Sequence, residues 1–148
     1  MPYWFLLLIA VAIGAILPFQ AGLNTQLARV AGHPVWSALF SFATGTVVLL
    51  LYALLARLPT GQLGALKSVP WYLWLGGILG TVYVATVLLI VPRLGLALSF
   101  GLIIGGQILV SLVIDHYGLL GLPVQPVSPG RLLGAILLIV GVALIRRF

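Results

Sequence analysis

The chain has 148 residues, of which 63% are hydrophobic and 5% are charged. A soluble domain carries about 25% charged residues, so the composition excludes a water-soluble globular protein, and the apolar content excludes intrinsic disorder. Seven Lys and Arg residues against one acidic residue give a formal charge of +6. These cations are scattered without a basic run, so membrane topology explains them better than a nucleic-acid partner. We expect an integral membrane protein with a single domain.

The charged residues divide the sequence into five apolar stretches, each close to the 20 or so residues that cross a bilayer as a helix. The stretches are continuous and lack the two-residue alternation of a membrane barrel, so we predict an all-α polytopic protein with a bundle of five transmembrane helices. The predicted spans cover approximately residues 3–31, 34–56, 69–91, 94–117 and 129–148.

Proline, serine and glycine mark the predicted helix ends, because serine caps a helix start, proline fits the first turn and glycine fits the residue after the last turn. A cleaved signal peptide competes with the first span, since residues 6–17 resemble its apolar region, but no positive charge precedes them. The end markers are His33 and Pro34 for the second span, Ser68 and Pro70 for the third, Gly118 for the fourth, and Ser128 and Pro129 for the fifth.

Small residues recur at spacings of four within the spans, which allows the close helix approach that holds membrane bundles together. This pattern supports a bundle and identifies no function. The sets are Ser37, Ser41 and Gly45, then Gly76 and Gly80, then Gly101 and Gly105, and finally Gly130 and Gly134.

Two amides follow a proline in the first span. Gln20 and Asn24 lie four residues apart and share one helix face just beyond Pro18. Proline removes a backbone donor, so we predict a kink at Pro18. The amides either line a cavity at this kink or bond a neighbouring helix.

A polar stripe follows one face of the fourth span. Gln107, Ser111 and Asp115 are spaced by four, and Asp115 is the only acidic side chain of the sequence. A carboxylate at a helix C-terminus needs compensation. An ion pair with Arg131, at the start of the fifth span, would provide it, and a cation or proton site is the alternative.

Ser41 in the second span and Tyr83 in the third complete the polar candidates, although a lone hydroxyl in a span usually bonds a backbone carbonyl. The predicted substrate path comprises Gln20, Asn24, Ser41, Tyr83, Gln107, Ser111 and Asp115.

Most enzyme and metal chemistry lacks the residues it needs. The sequence has no cysteine, two histidines and one carboxylate side chain. Disulfides and carboxylate pairs are therefore excluded within one chain, and a transition metal would find few ligands. Without a nucleophile–base pair we expect neither an enzyme nor a cofactor.

Five short motifs are distinctive. The motifs are Gln20-Ala-Gly-Leu-Asn24-Thr-Gln-Leu27, Ser41-Phe42-Ala-Thr-Gly45-Thr46, Gly76-Gly77-Ile-Leu-Gly80, Gly106-Gln107 and Ile114-Asp115-His116-Tyr117-Gly118. In order and spacing they resemble a family of small bacterial inner-membrane proteins of the drug/metabolite transporter superfamily. This family is long catalogued as a domain of unknown function and is related to the small multidrug resistance proteins and the EamA-type transporters.

The resemblance covers nearly the whole chain and implies transport without naming a substrate. Small multidrug resistance proteins exchange protons through a glutamate in the first helix, whereas Gly14 and Pro18 occupy that region here. Their proton mechanism therefore does not carry over. We expect a secondary transporter or exporter of small metabolites or drug-like compounds, and the alternative is a non-transporting membrane subunit that scaffolds or regulates a partner.

The positive charges are almost balanced across the five spans. Three Lys and Arg residues fall on one predicted side and four on the other, which leaves little bias to choose an orientation. We therefore expect a homodimer of two oppositely inserted copies, ten helices with inverted symmetry that work by alternating access in contact with membrane lipid. A single orientation, packed as a parallel dimer, is the alternative. The two sets are Arg57, Lys67 and Arg131, against Arg29, Arg93, Arg146 and Arg147.

Overall fold

The computed structural model describes residues 2–148, and it is 85% helical with no strand in that range. Five helices are long and apolar enough to cross a membrane, so the predicted all-α, five-span architecture is confirmed. Helices suit this environment because they satisfy every backbone polar group internally. The helices are α1 (Tyr3–Ala31), α2 (Pro34–Leu55), α3 (Leu75–Leu94), α4 (Leu96–Tyr117) and α5 (Pro129–Arg147).

The chain forms two compact units, and the single transmembrane domain stays a prediction. The first unit extends to Pro92, and α1 packs against α2 within it. The second unit runs from Arg93 to Phe148, and α4 packs against α5 within it. Each unit is therefore built on one pair of consecutive helices.

The turn between α1 and α2 is short because each of its residues suits its position. Gly32 ends α1 in the left-handed conformation with φ +77°, which glycine adopts without a steric penalty. His33 caps α2, and its Nδ1 accepts a hydrogen bond from the Val35 N–H at 3.2 Å. Pro34 occupies the first helical position, as the sequence predicts.

The third helix begins later than the predicted start near residue 69. Two short 3₁₀ helices, Leu63–Ser68 and Trp71–Trp74, precede it. Val69 and Pro70 between them are extended, since a residue before proline avoids the helical region. The prediction that Ser68 caps α3 is wrong, because its hydroxyl donates to the Ala65 carbonyl at 2.8 Å.

Helix α3 ends later than the predicted residue 91, and its boundary with α4 lies at a glycine. Helix α3 continues through Pro92 to Leu94, since a proline in the last turn removes only one hydrogen bond. Gly95, with φ +79°, then separates the two helices.

The end of α4 and the start of α5 follow the sequence signals. Gly118 ends α4 with φ +59°, and a Cβ atom there would lie 2.6 Å from Val124 Cγ2. Ser128 caps α5 by accepting a hydrogen bond from the Arg131 N–H at 3.3 Å, and Pro129 takes the first position. The predictions at Gly118, Ser128 and Pro129 are confirmed.

The buried part of each unit is small, and it combines small side chains with a few bulky ones such as Leu88 and Phe100. The two side chains that are fully buried, Ser37 and Ser99, are both serines. Most of the leucine, isoleucine and valine side chains are exposed instead. Such a surface suits contact with lipid tails, and small residues at the helix contacts are the usual packing solution there.

Candidate functional site

A buried cluster of hydrogen bonds joins α1 to α2 in the first unit. Asn24 Nδ2 donates to Ser41 Oγ at 3.1 Å, and Ser37 Oγ donates to the Asn24 carbonyl oxygen at 2.7 Å. Asn24 is buried and Ser37 has no exposed surface. We call these three residues the amide–hydroxyl cluster. Because its polar groups satisfy one another across two helices, the cluster has the geometry of a structural contact between α1 and α2.

A cleft of about 200 Å³ lies beside this cluster in the first unit. Gln20, Ser41 and Thr46 give it polar groups, while Phe42 and Val84 contribute apolar walls. The Gln20 side chain is exposed and makes no hydrogen bond to any residue in the range 2–148. Ser41 therefore belongs to the amide–hydroxyl cluster and also lines a cleft in which the Gln20 amide is available to a ligand.

Pro18 lies inside α1, which continues as a helix on both sides of it. Proline has no N–H, so the carbonyl of Gly14, four residues earlier, lacks its usual helical partner. The freed carbonyl lies in the turn before Gln20. A kink at Pro18 stays a prediction.

Charged and polar side chains gather at one end of the second unit. Arg131 Nη2 lies 3.4 Å from Asp115 Oδ2, and the two form an ion pair. The same guanidinium donates from Nη1 to the Gln125 backbone oxygen at 3.0 Å and from Nη2 to Gln125 Oε1. We call Asp115, Gln125 and Arg131 the arginine clamp. It gives the only acidic side chain of the sequence a cationic partner.

The loop from α4 to α5 is fastened to the end of α4 by further bonds. The Gln125 N–H donates to the Asp115 backbone oxygen at 2.8 Å. The Val127 N–H donates to His116 Nδ1 at 3.1 Å. The loop, although rich in proline and glycine, therefore has a defined conformation that presents Gln125 to Arg131.

A cavity of about 380 Å³ lies between α4 and α5 next to the clamp. Ser111, Asp115 and Arg131 line it together with apolar side chains. About a third of the surface of the Asp115 and Arg131 side chains is exposed, so the ion pair remains accessible to a polar ligand. This cavity contains the carboxylate and hydroxyl of the predicted stripe.

The predicted path residues are brought together in part. Gln20 and Ser41 share one cleft, Asn24 bonds Ser41, and Ser111 lines a cavity with Asp115. Gln107 is exposed on α4, lines none of the cavities described above, and makes no hydrogen bond within residues 2–148. Tyr83 is half-buried on α3, where its neighbour Val84 lines the first cleft.

Sequence reasoning missed some of the polar partners. Ser37 lies four residues before Ser41, and this spacing predicts close helix packing but not the hydrogen bond to α1. Gln125 and His116 carried none, because their contacts depend on the loop conformation. Within residues 2–148 the structure contains no group of three or more His, Cys, Asp or Glu side chains able to hold a metal ion.

Five helices that are able to span a membrane define a multi-pass membrane protein. Residues 5–144 match the family described as "Putative inner membrane exporter, YdcZ" of the drug/metabolite transporters, and the chain belongs to this family. The predicted family, transport class and location in the bacterial inner membrane are confirmed. No curated protein and no solved structure matches the chain.

Proposed function

We propose that the protein is a secondary exporter of small metabolites or drug-like compounds that works as a homodimer by alternating access. Its membership of an inner-membrane exporter family supports transport. No phosphate-binding loop of the Walker type occurs in the sequence, so we do not expect ATP hydrolysis by this chain. A solute or ion gradient is the simpler source of energy for transport.

The observation that carries the proposal is the position of Gln107. It lies in the middle of α4, exposed, and without a hydrogen-bond partner among residues 2–148. Leaving an amide unpaired in hydrocarbon costs about 2–7 kcal/mol. In the proposed exporter, a second copy of the chain or the water and substrate of the path covers this amide.

The remaining stripe extends this surface towards the helix end. Ser111 and Asp115 lie one and two turns further along α4, and both line the cavity beside Arg131. In the proposed exporter, Gln107, Ser111 and Asp115 line the substrate path, and the clamp sets the charge at its end. Gln20 offers a further amide in the cleft of the first unit.

The inverted dimer is supported by charge and by size. Three Lys and Arg residues on one predicted side and four on the other leave both orientations open. Ten helices give room to enclose a midplane site, and inverted repeats are a common basis of alternating access.

The alternative function is a membrane subunit that scaffolds or regulates a partner. The amide–hydroxyl cluster favours it for Asn24 and Ser41, whose polar atoms bond each other between helices. A structural role for these two residues is compatible with a transport role for Gln107.

Substitution of Gln107 distinguishes the two functions. A compound that stabilises the purified protein in a thermal-shift screen is used as the transport probe, because a ligand of the native state raises its melting temperature. We expect Gln107→Leu to abolish probe flux into proteoliposomes while the protein still melts cooperatively.

The matched control is Gln26→Leu, the same change at an exposed amide in the last turns of α1. Normal flux in Gln107→Leu, or equal losses in both variants, would argue against a path along α4.

A further inference from the structure

A larger groove runs between α4 and α5, away from the arginine clamp. Its volume is about 610 Å³, and apolar side chains and glycines line most of it. Leu98 and Leu109 mark its extent along α4, and Arg146 and Arg147 lie at its end on α5.

Glycines make room for this groove. Gly101 and Gly105 lie against α5, where a Cβ atom would come within 3.0 Å of Val142 and 3.4 Å of Leu138 respectively. Gly106 also lines the groove, but a Cβ atom there would meet nothing within 4 Å. The groove is therefore open space beside a close helix contact.

The length of the groove matches one leaflet of a membrane. Leu98 and Leu109 are 11 residues apart, which at about 1.5 Å per residue is about 16 Å. Half of a hydrocarbon core of about 30 Å is about 15 Å. An acyl chain lying along the groove would thus extend from the membrane surface at the arginines to the midplane.

The two arginines have no acidic partner among residues 2–148. Both are exposed, and the one ion pair found in that range joins Asp115 to Arg131. Arg147 lies with its guanidinium carbon 6.0 Å from the centre of the Phe148 ring, which leaves its N–H groups free to bind. Two adjacent guanidiniums at the surface of a membrane suit a phosphate group.

We propose that this groove binds an anionic phospholipid, with an acyl chain along the glycine side of α4 and the phosphate between Arg146 and Arg147. A second copy of the chain is the other candidate occupant. It fits less well, because its single carboxylate is already paired and it has no other acidic side chain to offer. The inference does not depend on transport or on its substrate.

Lipid binding is measurable on the purified protein without any substrate. The protein in a neutral detergent is titrated with phosphatidylglycerol or, separately, with phosphatidylcholine, and bound lipid is counted by native mass spectrometry. We expect phosphatidylglycerol to bind at least tenfold more tightly and to raise the melting temperature, since it binds the native state.

Two variants test the two ends of the groove. Gly106→Leu fills the groove where the backbone leaves open space, and Arg146→Gln/Arg147→Gln removes the phosphate partners. Both should lower the affinity for phosphatidylglycerol at least tenfold. Gly141→Leu, at a glycine of α5 outside the groove, and Arg29→Gln/Arg93→Gln, which removes two other exposed arginines, should leave it unchanged.

Three results would overturn the proposal. Equal affinity for the two lipids removes the role of the arginines, and unchanged binding in both groove variants places the lipid elsewhere. Conversion of a dimer to a monomer by Gly106→Leu, with lipid binding retained, would mean that a second copy covers the groove.

Discussion

The two units of the chain use polar groups for different purposes. In the first, Asn24, Ser37 and Ser41 are uncharged and bond α1 to α2. In the second, Asp115 and Arg131 are charged, lie at helix ends, and fasten a loop.

The difference reflects what each kind of polar group costs in a membrane. A charge at the centre of a span is costly, whereas hydroxyls and amides that satisfy one another are tolerated there. At a helix end, water and headgroups accept the exposed part of an ion pair. The helix pair of the first unit is thus joined by neutral bonds, and the charged pair of the second unit is exposed enough for a polar ligand to reach it.

A large loss of stability is expected from breaking the arginine clamp. Arg131→Met removes the ion pair and both bonds to Gln125, and we expect a loss of about 2 kcal/mol in the free energy of unfolding, measured by denaturation in mixed micelles. Arg131→Lys keeps the positive charge but not the two-pronged guanidinium, so it should lower the free energy of unfolding by less.

Asp115→Asn tests the ion pair alone, because the bonds of Arg131 to Gln125 do not involve the carboxylate. With a third of both side chains exposed, removing the charge should cost no more than about 1 kcal/mol, and the cost should shrink at high salt. If the same variant also loses the pH dependence of probe flux, Asp115 belongs to the substrate path. Unchanged stability and an unchanged pH profile in the same variant would contradict both roles of Asp115.

The turns of the two units differ in how tightly they are packed. Gly118 and Gly32 both have positive φ, which costs another residue about 1–2 kcal/mol. A Cβ atom at Gly118 also meets Val124, while one at Gly32 meets nothing within 4 Å. Gly118→Ala should therefore lower the melting temperature more than Gly32→Ala. Equal shifts would mean that the packing of the loop on Gly118 contributes nothing.

A smaller effect is expected at the neutral bonds of the first unit. Ser37 and Ser99 are both fully buried, but the Ser37 hydroxyl bonds another helix, while the Ser99 hydroxyl bonds the Gly95 carbonyl of its own turn at 2.6 Å. Ser37→Ala should cost about 1 kcal/mol of unfolding free energy, and Ser99→Ala distinctly less. If the two variants lose the same amount, the bond between helices adds no stability.

Much of the fold follows from the sequence because the membrane restricts it so strongly. Apolar stretches between charges give five helices, and the ends at Pro34, Gly118 and Ser128 follow from local backbone chemistry. The start of α3 does not, since Ser68 and Pro70 also suit the 3₁₀ turns that precede it. Local preference was ambiguous there.

The candidate site was less predictable. A spacing of four placed Ser111 and Asp115 on one face, and their shared cavity agrees with it. The bonds of Gln125 to Arg131 depend on how the 11-residue loop of residues 118–128 folds back, which no periodic pattern encodes. The groove at Arg146 and Arg147 likewise depends on which glycines face α5, and spacing alone leaves that open.

The central claim, that two oppositely inserted copies form the exporter, is tested most directly by labelling a single cysteine. Phe148 is 98% exposed, Gly61 lies in the exposed segment after α2, and the sequence has no cysteine of its own. Phe148→Cys and Gly61→Cys therefore report opposite membrane sides in separate variants, using a membrane-impermeant maleimide on intact cells.

Dual insertion predicts that about half of the molecules of each variant react before the membrane is opened, and the rest only afterwards. Full labelling of one variant and none of the other would show a single orientation and contradict the inverted dimer.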